Sequence, residues 1–546
     1  MKTTRYPLHK SRLVITGLVA AGLLSGSSLL AADTLSSTAT GTSVAWGTTT
    51  NWLDGSIPIS TDDVLIDYSN GATTPVLTLN AAQAANSLTF GSATGTALGS
   101  FTLRANTSVT TGRTLTLTSG AITVDSSVTG QINLGTPSSA GFGVTTIVLP
   151  NNSAFTSFFS VATGKTLNID AVLSGTGTAI TLQGGGTVVF AGANTFGASS
   201  RLITTSTTAG SLLAINNAGA LGNSLNILNL STGSTIDNTS GAAITLNNTN
   251  GIRVNGTFTF AGTQDLTFNG AVDLRSGNRT ITTTAGTLTL NGALASGTGL
   301  TKAGAGKLVL GGAGSYTGTT TISGGTLQLG DGGATGSLLT TGTIVNNANL
   351  TINRNNAVVQ GTDFSSTAIS GTGSFTQAGT GTTTLNVANS YTGVTTVNAG
   401  TLSLAVTGAI LNSATNDIIL GGGTLQSALS QNLNLATLSL TAGTASILDL
   451  STGGTFDFAN SASSTWGIGS TLSIVGTFSA TSVRFGTDGN GLTGGQLSQI
   501  TINGQLAEIN SNGFLAISSV PEPATVALVA GLSVLGLSAI RRRRTA

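Results

Sequence analysis

Residues 299–329, GLTKAGAGKLVLGGAGSYTGTTTISGGTLQL, and residues 374–404, SFTQAGTGTTTLNVANSYTGVTTVNAGTLSL, align without a gap at an offset of 75. Ser315, Tyr316, Thr317 and Gly318 fall on Ser390, Tyr391, Thr392 and Gly393, while Gly325, Thr326, Leu327 and Leu329 fall on Gly400, Thr401, Leu402 and Leu404. A degenerate copy, AITLQGGGTVVFAGANTFG, covers residues 179–197. Within each copy, short runs of Leu, Val, Ile and Thr such as residues 307–310 and 326–329 are separated by glycine-rich stretches. Such runs predict strands of about four residues with tight corners, and period two puts Leu327 and Leu329 on one face with Thr326 and Gln328 on the other. One strand of this length cannot bury its own apolar face, so successive coils must stack. The predicted fold is therefore all-β, a parallel β-solenoid whose corners use glycine and whose Asn and Thr side chains can form ladders. At about 20–25 residues and about 4.8 Å per coil, the body is expected to be a rod roughly 90–110 Å long.

Composition agrees with an array. Among 546 residues, Gly is 77, charged residues are 7% and aromatics 5%; the glycines follow no three-residue period, and 39% apolar residues exceed what a disordered chain carries. Of the 19 Lys and Arg, eight sit near the two ends (Lys2, Arg5, Lys10, Arg12, Arg541, Arg542, Arg543, Arg544), leaving 11 against 18 acidic residues between them. A sparsely charged, mildly acidic body gives no electrostatic footprint for nucleic acid, so no nucleic-acid partner is expected. Cysteine is absent and His9 is the sole histidine, which removes thiolate chemistry, the commonest general base and the usual metal ligand. No enzyme activity, no cofactor, and neither catalytic nor metal-ligating residues are expected.

Residues 1–32 are expected to be a secretory signal peptide: basic through Arg12, apolar from Leu13 to Leu30, then small residues with cleavage at Ala32. Near the other end, residues 524–540 are apolar or small, and as a helix at about 1.5 Å per residue they would span roughly 25 Å, near the lower limit for a transmembrane helix. Arg541, Arg542, Arg543 and Arg544 would stay on the cytoplasmic side. Pro521 and Pro523 keep the stretch before the helix extended. Together Pro521, Glu522 and Pro523, the apolar run and the arginine cluster resemble the PEP-CTERM sorting signal. That resemblance implies processing by an exosortase at the inner membrane of a Gram-negative bacterium, and delivery to the cell surface or extracellular matrix.

A second resemblance rests on residues 300–329 and 375–404, which are similar to the autotransporter-associated β-strand repeat. It implies a right-handed parallel β-helix of the kind found in exported passenger domains. Autotransporters carry a membrane barrel of alternating strands about ten residues long, and residues 461–546 show no such series. Self-transport through a barrel in this sequence is not expected.

The domain organisation follows: signal peptide 1–32; N-terminal cap region 33–95; β-solenoid 96–460 with the repeats at 299–329, 374–404 and 179–197; C-terminal cap module 461–519; sorting tail 520–546 with its transmembrane helix at 524–540. The segment with Trp46, Asn51, Trp52, Gly55, Pro58, Asp62 and Asp63 reads as the N-terminal cap, its tryptophans plugging the open end of the stack, with sugar or calcium binding by the tryptophans and Asp54, Asp62, Asp63 and Asp67 as the alternative. In the C-terminal module, Leu492–Ile500 reads as a short helix feeding a strand.

Two functions fit these readings. The first is an adhesin-like or structural surface rod with multivalent Thr, Ser and Asn contacts, its partners being the secretion machinery, the exosortase and extracellular polysaccharide. The second is a polysaccharide-binding or polysaccharide-degrading β-helix, for which Asp265 with Asp273, or Asp62 with Asp63, are the local carboxylate pairs, and Lys302, Arg275 and Arg279 the bases. Lys302 and Lys307 are expected at solvated turns. A third possibility is a matrix protein whose uncapped terminal coils pair edge to edge.

Overall fold

Alternation in the sequence becomes alternation in burial. In the strand Phe101–Ala105, Phe101, Leu103 and Ala105 point into the core and are fully buried, while Thr102 and Arg104 are half-buried. The computed structural model describes residues 33–34, 43–67, 76–106, 112–136, 143–151, 156–177, 179–197, 201–247 and 249–519. Over these residues the chain is a right-handed parallel β-solenoid of about 17 turns. At about 4.8 Å per turn the rod is about 80 Å long. That is shorter than expected because some coils are long, as where Leu88 pairs with Ile122 and Ile122 in turn with Phe159. Later coils are tighter, as between Leu308 and Leu327.

Among the described residues the strands line up in two ladders of thirteen strands, one of ten, one of nine and one of three. The first ladder runs from Asp33–Thr34 to Leu294–Ala295 and the second from Ser43–Ala45 to Ile344–Asn346. A third starts at Ile244–Thr245 and ends at Leu438–Leu440, and a fourth starts at Val358–Val359 and runs through Ile500–Ile502. As one ladder ends another has begun, so the well-formed faces migrate around the rod. Parallel pairing reaches from the first ladder through to Ile500–Ile502, so both segments expected as caps contribute rungs of their own.

The core is one continuous column. In the third ladder Leu266, Leu288, Leu308, Leu327, Leu350 and Phe375 stack in consecutive rungs, all fully buried. Each such side chain contributes about 1.5–3 kcal/mol of burial, and parallel stacking repeats that contribution on every coil. Corners close this tightly only with glycine: Gly325 and Gly400 take φ of 63° and 56°, and a Cβ there would collide with the carbonyl oxygens of Gly306 and Gly381. Asparagine ladders form in pairs, as between Asn291 and Asn269 at 3.1 Å and between Asn255 and Asn229 at 2.6 Å.

The C-terminal end is closed by a change of direction. After Ile500–Ile502, Asn503 and Gly504 turn the chain with φ of 46° and 84°, and Gln505–Ile509 returns antiparallel, followed by Leu515–Ile517. A two-residue Asn-Gly turn of this hand suits a tight hairpin, and the hairpin lies where another parallel strand would add. The helix expected at Leu492–Ile500 is one turn, Gly494–Leu497, held by a capping box between Thr493 and Gln496. No helix among the described residues is long and apolar enough to cross a membrane. The expected transmembrane helix at 524–540 lies outside the described residues, as do the signal peptide and its cleavage position Ala32.

Candidate functional site

The N-terminal tryptophans do not offer a sugar platform. Trp46 and Trp52 are 0% and 2% exposed, pack edge to face at 5.1 Å, and Trp52 Nε1 donates to the Trp46 carbonyl at 2.8 Å. Their position after the strand Ser43–Ala45, at the start of a ladder, makes them core of the first described coil. The nearby carboxylates serve local turns: Asp54 accepts from the Ser56 amide, Asp62 from the Ile59 amide, and Asp63 from Asn86 and Ser87 one coil on. Asp67 reaches the next coil as well, accepting from the Ala93 amide at 2.9 Å.

The structure does not assemble the proposed acid/base pair from Asp265 and Asp273 into a cleft. Asp265 accepts from the Thr287 amide at 2.7 Å, whereas Asp273 holds the Arg275 amide and guanidinium at 2.8 and 3.3 Å. Arg279 donates from Nε to the Leu274 carbonyl. Each group supports its own corner.

Lys302 corrects the expectation of a solvated turn. It is 0% exposed, and its ammonium donates to the carbonyls of Ala303, Gly304 and Gly324 at 2.8, 2.8 and 2.9 Å. Desolvation pushes its pKa down to about 8, and no salt bridge to a carboxylate opposes the shift among the described residues. The signal was present in the sequence, since period two places residue 302 on the inward face of Leu300. Its counterpart in the second repeat, Gln377, is 1% exposed and donates to the carbonyls of Gly379 and Gly381 at 2.7 and 3.2 Å. Both side chains satisfy backbone acceptors at the same buried corner. Lys307, by contrast, is half-buried on the outer face, 3.5 Å from Gln328 Oε1.

Two further cations are buried without having been anticipated. Arg201, 1% exposed, donates to the Gly177 and Pro150 carbonyls and lies 5.6 Å from the Phe196 ring, and burial lowers its pKa to about 10. Arg354 pairs with Asp363 at 2.9 Å.

What the surface does present is repetition. Outward-facing Thr245, Thr267 and Thr289 stack in successive rungs of the third ladder, Thr280, Thr301 and Thr321 in the second, and Thr382, Thr401 and Thr424 in the fourth. An open hollow of about 330 Å³ lies beside Trp466, lined by Ser464, Thr493, Gln496 and Gln499 with no charged side chain. Trp466 is half-buried there and donates from Nε1 to the Leu438 carbonyl. The sorting-signal residues Pro521, Glu522, Pro523 and Arg541 to Arg544 lie outside the described residues.

Residues 300–329 and 375–404 match the passenger-associated-transport-repeat family. No curated protein and no solved structure matches the chain. The family match falls on the two repeats that carry Tyr316 and Tyr391, whose buried hydroxyls bond Thr320 and Thr395 at 2.7 and 2.8 Å. Passenger-associated repeats on a parallel solenoid fit a surface or secreted β-helix protein.

Proposed function

We propose that the chain is a non-catalytic, adhesin-like structural rod of the cell surface or extracellular matrix. The observation that carries this reading is the passenger-associated repeat at residues 300–329 and 375–404, set in a solenoid whose ladders hand over without a break. In this reading the secretion machinery recognises residues 1–32 and cleaves after Ala32. The chain then pauses at the inner membrane through 524–540, and an exosortase acts at Pro521, Glu522 and Pro523. The resemblance of residues 521–544 to a PEP-CTERM signal supports the last step. Local use of Asp265, Asp273, Arg275, Arg279 and Lys302 supports a role without acid/base chemistry.

Extracellular polysaccharide is the ligand class favoured by the surface. Threonine columns repeating at about 4.8 Å offer many weak hydroxyl contacts, and the uncharged hollow at Trp466 adds one aromatic edge with amides. Cell fractionation with mass spectrometry tests the proposal. Recovery of the body without residues 524–546 in the surface or matrix fraction is the expected result. An intact chain retained in the inner membrane would defeat the sorting account, and turnover of a polysaccharide by the purified rod would defeat the non-catalytic one.

A further inference from the structure

Ile66, Phe90 and Val124 are register partners in the first ladder. The residues that follow them, Asp67, Gly91 and Asp125, therefore turn the same corner on three successive coils. With about 4.8 Å per rung, the two aspartates are roughly 9.6 Å apart at the backbone, and the glycine lies between them. Both carboxylates lean into that gap. Asp67 Oδ2 accepts from the Ala93 amide at 2.9 Å and from Ser92 Oγ at 3.4 Å. From the other side the Asp125 carboxylate folds over the glycine, so that a Cβ at Gly91 would collide with Asp125 Oδ2.

The hydrogen bonds leave one oxygen of each carboxylate over. Asp125 Oδ1 accepts from the Ser127 amide at 2.8 Å and from Ser127 Oγ, and Ser127 Oγ accepts in turn from the Ser92 amide at 2.9 Å. Asp125 Oδ2 has no hydrogen-bond donor among the described residues. Asp67 is 9% exposed, and its Oδ1 is buried with no hydrogen-bond partner among the described residues. No Lys or Arg pairs with either residue among the described residues. A buried carboxylate oxygen without a donor is costly, and across the glycine Asp125 leaves a second oxygen without one. A cation between them answers both.

We propose that Asp67 and Asp125 hold a calcium ion at the Gly91 corner, pinning three successive coils at the N-terminal end of the rod. The donors are all hard oxygens, from carboxylates and the Ser92 and Ser127 hydroxyls, which selects calcium or magnesium over zinc or copper. Irregular geometry and only two carboxylates favour calcium, at the weak affinity typical of extracellular modules, about 10⁻⁴–10⁻³ M. The pinned coils include the long step from Leu88 to Ile122. Of the four carboxylates singled out from sequence only Asp67 belongs to the site; Asp54, Asp62 and Asp63 serve other turns.

Terbium luminescence and thermal unfolding of the full chain test this, with calcium chloride as the competitor. One saturable terbium site displaced by millimolar calcium is expected, together with a calcium-dependent rise of the first unfolding transition. Asp125→Asn, which preserves shape, weakens binding by at least about tenfold, as does Asp67→Asn. Gly91→Ala weakens it too by displacing the Asp125 carboxylate, whereas Asp62→Asn leaves it unchanged. Circular dichroism establishes that each variant is folded. The proposal is overturned if folded wild type shows no saturable terbium binding, or if binding survives both Asp125→Asn and Asp67→Asn. It is overturned equally if Asp62→Asn weakens binding as much as Asp125→Asn does.

Discussion

The two matched repeats, residues 299–329 and 374–404, share most of their pattern yet occupy different faces of the rod. Strands Gly299–Ala303 and Lys307–Leu310 lie in the second and third ladders, whereas their counterparts Ser374–Gln377 and Thr382–Leu385 lie in the third and fourth. The degenerate copy continues the series, with Ala179–Gln183 in the first ladder and Thr187–Phe190 in the second. Register explains the step: Thr301 pairs through Thr321 and Val345 to Ser370, three coils on, and Phe375 begins the next face. An offset of 75 is thus three coils plus one side. The repeat is a corner with its two flanking strands, and it works on any face. What differs between the copies is the buried donor at that corner, a charged Lys302 in one and a neutral Gln377 in the other.

The largest expected effect tests whether the two corners are equivalent in packing. Leu327→Ala and Leu402→Ala remove fully buried, matched side chains, and each should cost about 2–5 kcal/mol. Hydrogen exchange resolved along the chain is the suitable measurement, because a long solenoid need not unfold in one step. If only one variant loosens its coils, the equivalence fails.

Next comes the charge. With Lys302 depressed to about 8 in the fold and near 10.4 in an unfolded chain, the unfolded state binds the proton more tightly between these values. Stability therefore rises with pH across about 8 to 10, by up to about 3 kcal/mol, and is lowest below pH 8. Lys302→Gln, which copies the second repeat, should abolish that rise. Tyr316 and Tyr391 have pKa values raised by burial and lose stability at still higher pH, so the difference between wild type and Lys302→Gln in urea titrations isolates the lysine. An identical pH profile for both proteins would show that the ammonium is not desolvated.

A smaller contrast separates the two tyrosines. Thr395 also donates to Asn416 at 2.9 Å, whereas Thr320 has Tyr316 as its side-chain partner. Tyr316→Phe should then cost about 1–2 kcal/mol and Tyr391→Phe about 1 kcal/mol or less. At the bottom of the scale, Lys307→Ala on the outer face should stay within about 0.5 kcal/mol, in sharp contrast to any truncation of Lys302.

Much of the fold was legible in residues. Leu308, Leu310, Leu327 and Leu329 announce short strands, and the glycines at 304, 325 and 400 mark corners, because period two and positive φ are local requirements. At Lys302 two local signals conflict: its charge points to solvent, its parity with Leu300 points inward, and the packing follows parity because three carbonyls meet the ammonium. Nothing local announces Arg201 as buried, because its partners at Gly177 and Pro150 come from other coils. Asp67 was among the carboxylates read from sequence, but its sharing a corner with Gly91 and Asp125 was hidden, because the three are distant in sequence and one rung apart in the ladder.

By itself, then, the sequence determined that this chain stacks short parallel strands around glycine corners, because alternation and chain reversal are decided within a few residues. Which face each repeat occupies, and which distant carboxylates share a corner, were decided only by the tertiary structure. The coil from Leu308 to Leu327 is barely half as long as the one from Ile122 to Phe159, and the phase of every later strand is the accumulated sum of such lengths.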